Sequence, residues 1–171
     1  MYRLLARSIF LLGTATLLCA CGFALRGTEG FAVPEDWKSM YLVTHNPNNE
    51  FSREVSTRFA ANGVQWQDKS DANYRLVLGR ERFEQRNLSL NSEARAAEFE
   101  LTMFSQFSVQ DNSGNEVMPP AEAQVVKYME NDPRNVVGKA EEVRILKAEM
   151  RTELAQQIMR RIAFFAASTQ G

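Results

Sequence analysis

The sequence predicts an α/β fold, a two-layer sandwich in which a four-stranded mixed sheet carries two helices on one face. Three observations support this prediction. Alternating apolar and polar residues mark strands, most clearly from Ala97 to Gln110. Two other segments carry apolar residues at intervals of three and four, as helices do. The elements run strand, helix, three strands, helix, and such elements stack as a sheet under a helix layer.

The first strand and first helix are predicted close to the N-terminal end of this domain. Trp37–Val43 carries apolar residues on both faces, which predicts a buried or half-buried strand. Turn-forming residues follow, and Asn49 is expected to cap a helix over Glu50–Ala61. Asn62-Gly63 is a C-terminal helix signal. One apolar stripe would face the core: Phe51, Val55 and Phe59.

The three later strands are predicted to form an antiparallel meander. Val64–Trp66 is expected to start a strand, and Asn73–Leu88 is predicted as a long extended segment. Gly79 within it indicates a bulge or bend. A hairpin connection at 91–93 leads to the strand Ala97–Gln110. The turn Asp111–Asn115 then leads to Val117–Glu130, where Pro119-Pro120 indicates an edge or a bulge. One face of the third strand is apolar: Phe99, Leu101, Met103, Phe107 and Val109.

A long C-terminal helix, roughly Lys139–Ala166, completes the predicted domain. Its apolar stripe would cover the sheet: Val143, Leu146, Met150, Leu154, Ile158, Ile162 and Phe165. The first strand, helix and second strand should form a right-handed parallel unit. Phe104, Val126 and Tyr128 would then point to the other sheet face. If that face is bare, we expect Phe104 and Tyr128 to belong to a partner surface.

The first 20 residues have the features of a secretory signal peptide. Arg3 and Arg7 precede an uncharged, mostly apolar run, Ser8–Leu18, and a small residue precedes the expected cleavage site. The run is shorter than the roughly 20 residues that span a bilayer, so we expect no permanent transmembrane helix there. We therefore predict a signal peptide at 1–20, a mature N-terminus and tether at 21–36, and one α/β domain at 37–168.

Composition excludes several classes of function. Without the two signal-peptide arginines, 18 basic and 21 acidic residues remain, a formal charge of −3 that argues against a nucleic-acid partner. His45 is the only histidine and lies in a segment of turn-forming residues. No metal-ligand spacing, nucleophile elbow or phosphate-binding loop is present. We predict no catalytic residue, no metal and no cofactor.

The residues around Cys21 carry the first resemblance. Leu18-Cys19-Ala20-Cys21 resembles the lipobox of bacterial lipoproteins, which implies that the Cys21 thiol receives a diacylglycerol and that the new amino terminus is acylated. Several acyl chains on one residue anchor a protein stably. Gly22 differs from the aspartate of the inner-membrane retention signal, which implies the outer membrane.

Four short segments carry a second resemblance: Cys21–Gly27, Ala61–Val64, Ala97–Leu101 and Asn131–Pro133, which in this order span nearly the whole mature chain. Together they resemble the LptE family of lipopolysaccharide-assembly lipoproteins. The resemblance implies a non-enzymatic lipoprotein that plugs and helps to assemble an LptD-type outer-membrane β-barrel and binds lipopolysaccharide. It also implies a lipid-anchored location on the periplasmic side of the outer membrane or within the barrel lumen.

The predicted meander also suggests where glycolipid would bind. The connection at 91–93 and the end of the fourth strand at 130 lie at the same end of the sheet, so residues 86–96 and 131–139 should cluster. Arginine and lysine suit the phosphates and acidic sugars of lipopolysaccharide. The candidate ligands are Arg86, Arg95, Arg134 and Lys139. The alternative is ordinary loop charge, balanced by nearby acids: Glu93, Glu98, Glu130 and Asp132.

Two other functions compete with this interpretation. One is an auxiliary lipoprotein of another periplasmic transport system. The other is a cell-envelope hydrolase, against which the lack of a nucleophile–base pair argues.

Overall fold

A computed structural model describes residues 33–90, 96–131 and 136–169. Over these residues the α/β fold is confirmed, but the sheet has six strands where four were predicted. After a short 3-10 turn, Glu35–Trp37, the elements are β1 Ser39–Thr44, α1 Glu50–Ala61, β2 Gln65–Trp66, β3 Tyr74–Leu78, β4 Arg82–Leu90, β5 Ala96–Asp111, β6 Glu116–Glu130 and α2 Val136–Ser168.

Trp37 does not begin the first strand as predicted. Its backbone N–H donates to the Pro34 carbonyl at 2.9 Å and closes the 3-10 turn, so β1 starts only at Ser39. The Trp37 ring is buried and stacks on Tyr74 with 4.2 Å between ring centroids. Val33 is also buried, which shows that core packing begins before β1. Burial explains the apolar character at Trp37 that suggested a strand.

The first helix forms where it was predicted. The Asn49 side chain accepts a hydrogen bond from the Ser52 N–H at 2.6 Å, which satisfies one of the free N–H groups at the helix start. Gly63 follows the helix with a φ of 91°, a left-handed conformation that glycine adopts without strain. The predicted apolar stripe is buried: Phe51, Val55 and Phe59.

The predicted strand Asn73–Leu88 is divided in two at Gly79. A Cβ at Gly79 would lie 2.8 Å from the Gln106 carbonyl oxygen, so the backbone approaches β5 closely at this point. The bend indicated by Gly79 is confirmed, but it ends β3 and starts β4. Both strands still lie along one edge of β5, β3 beside Phe107–Asp111 and β4 beside Ala96–Phe104.

The sheet is mixed, as predicted. β1 is parallel to β2 and β3, whereas β3, β4 and β6 are antiparallel to β5. The strand order is β2-β1-β3-β5-β4, and β6 pairs with the other edge of β5. The long meander strands β4, β5 and β6 therefore form one half of the sheet, and the short parallel strands form the other.

The core lies between the sheet and the two helices. The predicted apolar face of β5 is buried, and so is the central part of the predicted α2 stripe, Met150, Leu154, Ile158 and Ile162. α2 starts at Val136, somewhat earlier than predicted, and is 33 residues long. Among the described residues neither helix combines the length and apolar character needed to cross a membrane.

Candidate binding surfaces

The face of β4, β5 and β6 that points away from the helices is polar and acidic. Directly opposite residues of an antiparallel pair share one sheet face, so the register assigns this surface without ambiguity. We call it the open face. Its members are Arg82, Glu84, Arg86, Ser89, Glu98, Glu100, Thr102, Phe104, Gln106, Glu122, Gln124, Val126, Tyr128 and Glu130. Glutamates outnumber arginines on it, in contrast to the apolar face that the helices cover.

A groove of about 600 Å³ crosses the middle of the open face. It spans all three strands, and its walls are mostly polar side chains. It is lined by Glu84, Gln85, Arg86, Glu100, Thr102, Phe104, Glu122 and Gln124. A groove of this composition suits a polar or charged partner better than an apolar ligand.

Arg86 is held in this groove by Glu100. Its Nη2 donates to Glu100 Oε2 at 2.9 Å, and its Nε lies 2.7 Å from Oε1. The hydrogen bond from Arg86 lowers the pKa of Glu100, and the carboxylate in turn raises the pKa of Arg86. The two parallel bonds occupy the edge of the guanidinium formed by Nε and Nη2. Arg86 is therefore already neutralised by a carboxylate of the same face.

The predicted partner-surface aromatics both lie on the open face. Tyr128 is 65% exposed, and its neighbour Val126 is 39% exposed. Phe104 is half-buried, with the Arg82 guanidinium 4.7 Å from its ring centroid. Their position is thus as predicted, whereas their role at an interface stays a prediction.

Lys139 lies on the other side of the sheet, at the end where β5 begins and β6 ends. The Asn131 N–H donates to the Ala97 carbonyl at 2.8 Å and joins these two strand ends. Lys139 Nζ donates to the Asn131 side-chain oxygen at 2.6 Å and lies 4.1 Å from the centroid of the Phe99 ring. Phe99 is a core-facing residue, so Lys139 belongs to the helix side of this end.

The structure does not bring Arg86 and Lys139 onto one surface. Arg86 pairs with Glu100, whereas Lys139 covers Phe99, and consecutive strand residues point to opposite faces. The prediction grouped the basic residues by their end of the sheet and did not consider the face. Arg95 and Arg134 lie outside the described residues, as does Cys21.

Acidic residues dominate the open face at the same end of the sheet. Glu98 is paired in register with Glu130, and the Ser89 hydroxyl donates to Glu98 at 2.9 Å. These residues, with Ala97 and Asn131, line a depression of about 340 Å³. From the sequence, these acids are expected only as a local counter-charge. Two register shifts between Phe107 and Gln110 set this pairing, because the register next to the turn would place Glu98 opposite Tyr128.

His45 lies beside an arginine in the described part of the chain. His45 Nε2 lies 2.6 Å from Arg80 Nη2, so the ring faces a cation. Across the described ranges no group of three or more histidine, cysteine, aspartate or glutamate side chains could hold a metal ion.

Comparison with solved structures assigns this architecture to a class of α/β lipoproteins. The rare lipoprotein B of Shewanella oneidensis superposes with a TM-score of 0.69 and 27% identity, covering 77% of this chain and 98% of that one. The solution structure of an uncharacterized lipoprotein B from Nitrosomonas europaea gives a TM-score of 0.70 over 85% and 93% of the two chains. At 20% identity, this second likeness supports the fold alone.

Sequence comparison then identifies the family. The model of the LptE lipopolysaccharide-assembly family matches residues 37–162, and the chain belongs to this family. The LPS-assembly lipoprotein LptE of Yersinia pestis is 29% identical over 156 residues, which cover 89% of this chain and 73% of that protein. The resemblance to the LptE family is thus confirmed. Because this is a family of non-enzymatic lipoproteins, the prediction that the chain is not an enzyme is confirmed as well.

Proposed function

We propose that the protein is an outer-membrane lipoprotein, anchored through lipids on Cys21, that plugs and helps to assemble an LptD-type β-barrel and binds lipopolysaccharide during its insertion. The observation that carries this proposal is the family match over residues 37–162, downstream of the lipobox at Leu18–Cys21. A cysteine with several acyl chains would hold the domain at the membrane surface without a transmembrane helix.

The open face is the proposed contact with the barrel. The interior of an outer-membrane barrel is polar, and the open face offers polar side chains with exposed Tyr128 among them. The opposite face is occupied by the helices and supplies the core. A partner that contacts the open face therefore leaves the domain fold intact.

The glycolipid surface is proposed on the helix side of the sheet end, at Lys139. Phosphate groups need a cation, and the contacts that the described residues make with Lys139 Nζ are with the neutral Asn131 amide and the Phe99 ring. Arg95 and Arg134 remain proposed ligands of the same head group. Arg86 is the weakest of the four candidates, because its guanidinium is bound to Glu100 on an acidic face.

A mild-detergent purification of the tagged full-length lipoprotein from its native envelope tests the barrel proposal. Mass spectrometry should find a large β-barrel protein in stoichiometric amount. A Cys21→Ser variant lacks the thiol that would carry the lipid, so it provides the control for anchoring and should no longer incorporate labelled fatty acid. Recovery with inner-membrane transporter subunits would favour the alternative, an auxiliary lipoprotein of another periplasmic transport system.

A binding assay with purified lipopolysaccharide tests the glycolipid proposal. The double variant Arg95→Asp/Lys139→Asp should bind lipopolysaccharide at least about tenfold more weakly, since two charge-assisted contacts would become repulsive. Arg86→Asp serves as the matched control and should bind as the unmodified protein does. Circular dichroism should confirm that each variant is folded. Unchanged binding by the double variant would refute the proposed glycolipid surface.

A further inference from the structure

The outer edges of the sheet differ in how well they are protected from pairing with another strand. β2 forms one edge and has only two residues, so it offers little backbone for pairing. β6 forms a second edge, and α2 covers part of it. The backbone N–H of Gln124 donates to the Gln157 side chain at 2.9 Å, and Arg161 donates to the Glu122 carbonyl at 2.5 Å. Both are ways by which proteins block edge-to-edge pairing.

β4 forms the third edge and lacks these protections. It is nine residues long, contains no proline, and pairs regularly with β5 from Arg82 to Asn87, before register shifts at Ser89 and Leu90. Five consecutive residues, Glu84–Leu88, are exposed. In an antiparallel pair, every second residue directs its N–H and C=O away from the partner strand. Within the part of the chain that the structure describes, no other element donates to or accepts from these outward groups of β4.

We infer that β4 accepts an extended segment of the partner protein as an additional strand. Strand addition of this kind gains affinity from backbone hydrogen bonds and specificity from alternate side chains. The inference rests on the proposed function, because the segment is assigned to the same partner that covers the open face. The groove supports this assignment, since Glu84 and Arg86 of β4 form part of its wall.

The charges of β4 define the chemistry of the added segment. On the open face the strand carries Arg82, Glu84 and Arg86 at alternate positions. Arg86 is bound to Glu100, whereas the Glu84 side chain is 63% exposed and has only a 3.8 Å ion pair with Arg82. Opposite charges across a strand pair stabilise it. The added segment therefore carries a basic side chain opposite Glu84.

Residue-resolved hydrogen exchange on the full-length lipoprotein, alone and in its purified complex, tests this inference. In the complex, alternate amides between Arg82 and Asn87 should exchange at least about tenfold more slowly, because only the outward N–H groups gain a new acceptor. The Gln124 amide, which Gln157 already protects, should change little. An intact complex in which the β4 amides keep their rates would overturn the added strand and leave the barrel proposal standing.

The other outcomes of the same experiment also decide whether the inference holds. Failure to recover any barrel complex would refute the proposed function, and this inference with it. Protection of the β4 amides in the isolated protein, together with a dimer mass, would show that a second copy is the occupant and refute a partner segment.

A charge variant tests the side-chain part of the inference. Glu84→Lys should reduce complex recovery about fivefold, because a favourable cross-strand pair becomes repulsive. Glu116→Lys makes the same change of charge at the start of β6, opposite Gln110 of β5, and should leave complex recovery unchanged. Equal recovery for both variants would contradict a basic side chain opposite Glu84.

Discussion

The two faces of β5 differ although their residues alternate along one strand. Phe107 is 2% exposed and packs in the core, whereas its neighbour Gln106 is exposed on the open face. The core face holds the helices, and the open face carries charged groups that bind mostly to one another. The core and the proposed partner contact therefore lie on opposite sides of the same strands. Substitutions on one side should therefore leave the property of the other side unchanged.

The largest effect is expected on the core face. Phe107→Ala should lower the free energy of unfolding by about 3–5 kcal/mol, since it removes a buried ring and leaves a cavity. Gln106→Ala, one residue away, should change it by no more than about 0.5 kcal/mol. Urea unfolding followed by circular dichroism measures both. Similar losses for the two variants would contradict the separation of the faces.

The next largest effect is expected at Gly79, where β3 ends and β4 begins. Gly79→Ala places a Cβ about 2.8 Å from the Gln106 carbonyl oxygen, and a backbone atom cannot move aside easily. We expect a loss of about 1–3 kcal/mol in urea unfolding, as in other overpacked sites. A variant as stable as the unmodified protein would show that the close approach is not needed to position β4.

The fold could be predicted from the sequence where the signal is local. The alternation of β5, the Asn49 cap and the glycine at 63 are each decided by neighbouring residues, and each was predicted correctly. Trp37 was assigned to a strand because burial by tertiary packing resembles strand alternation when only seven residues are considered. The division at Gly79 depends on the approach of Gln106, which is distant in sequence.

The candidate surfaces could be predicted only in part for the same reason. Phe104 and Tyr128 were placed on the right face, because alternation alone decides it. Arg86 and Lys139 were grouped wrongly, because their separation depends on the register of β4 against β5 and on where α2 lies. Register and helix position are properties of the folded sheet, which no short segment encodes.

A smaller effect is expected for Arg151, which joins the helices to the start of β4. Its guanidinium binds Glu81 at 2.7 and 2.8 Å and also contacts Glu50, and its side chain is 16% exposed. Arg151→Met should lower the free energy of unfolding by about 1–2 kcal/mol, because Glu81 loses a charged hydrogen-bond donor. Arg144→Met, at a residue 70% exposed, is the matched control and should have little effect. Equal losses would mean that the contact with Glu81 contributes nothing beyond a surface pair.

The smallest effect on stability, and the sharpest test of the open face, is expected for Arg86→Gln. Because Arg86 lowers the pKa of Glu100, this pair favours folding at pH values above the ordinary glutamate pKa, and the contribution is lost as the pH falls through the lowered value. Without the guanidinium, the NMR titration midpoint of Glu100 should rise towards its ordinary range, while stability at neutral pH should fall only slightly, because the Arg86 side chain is 71% exposed although that of Glu100 is only 12% exposed. A midpoint that does not move would mean that Arg86 does not hold Glu100 in solution. The guanidinium would then be free to meet a phosphate, and the open face would become a second candidate for glycolipid binding.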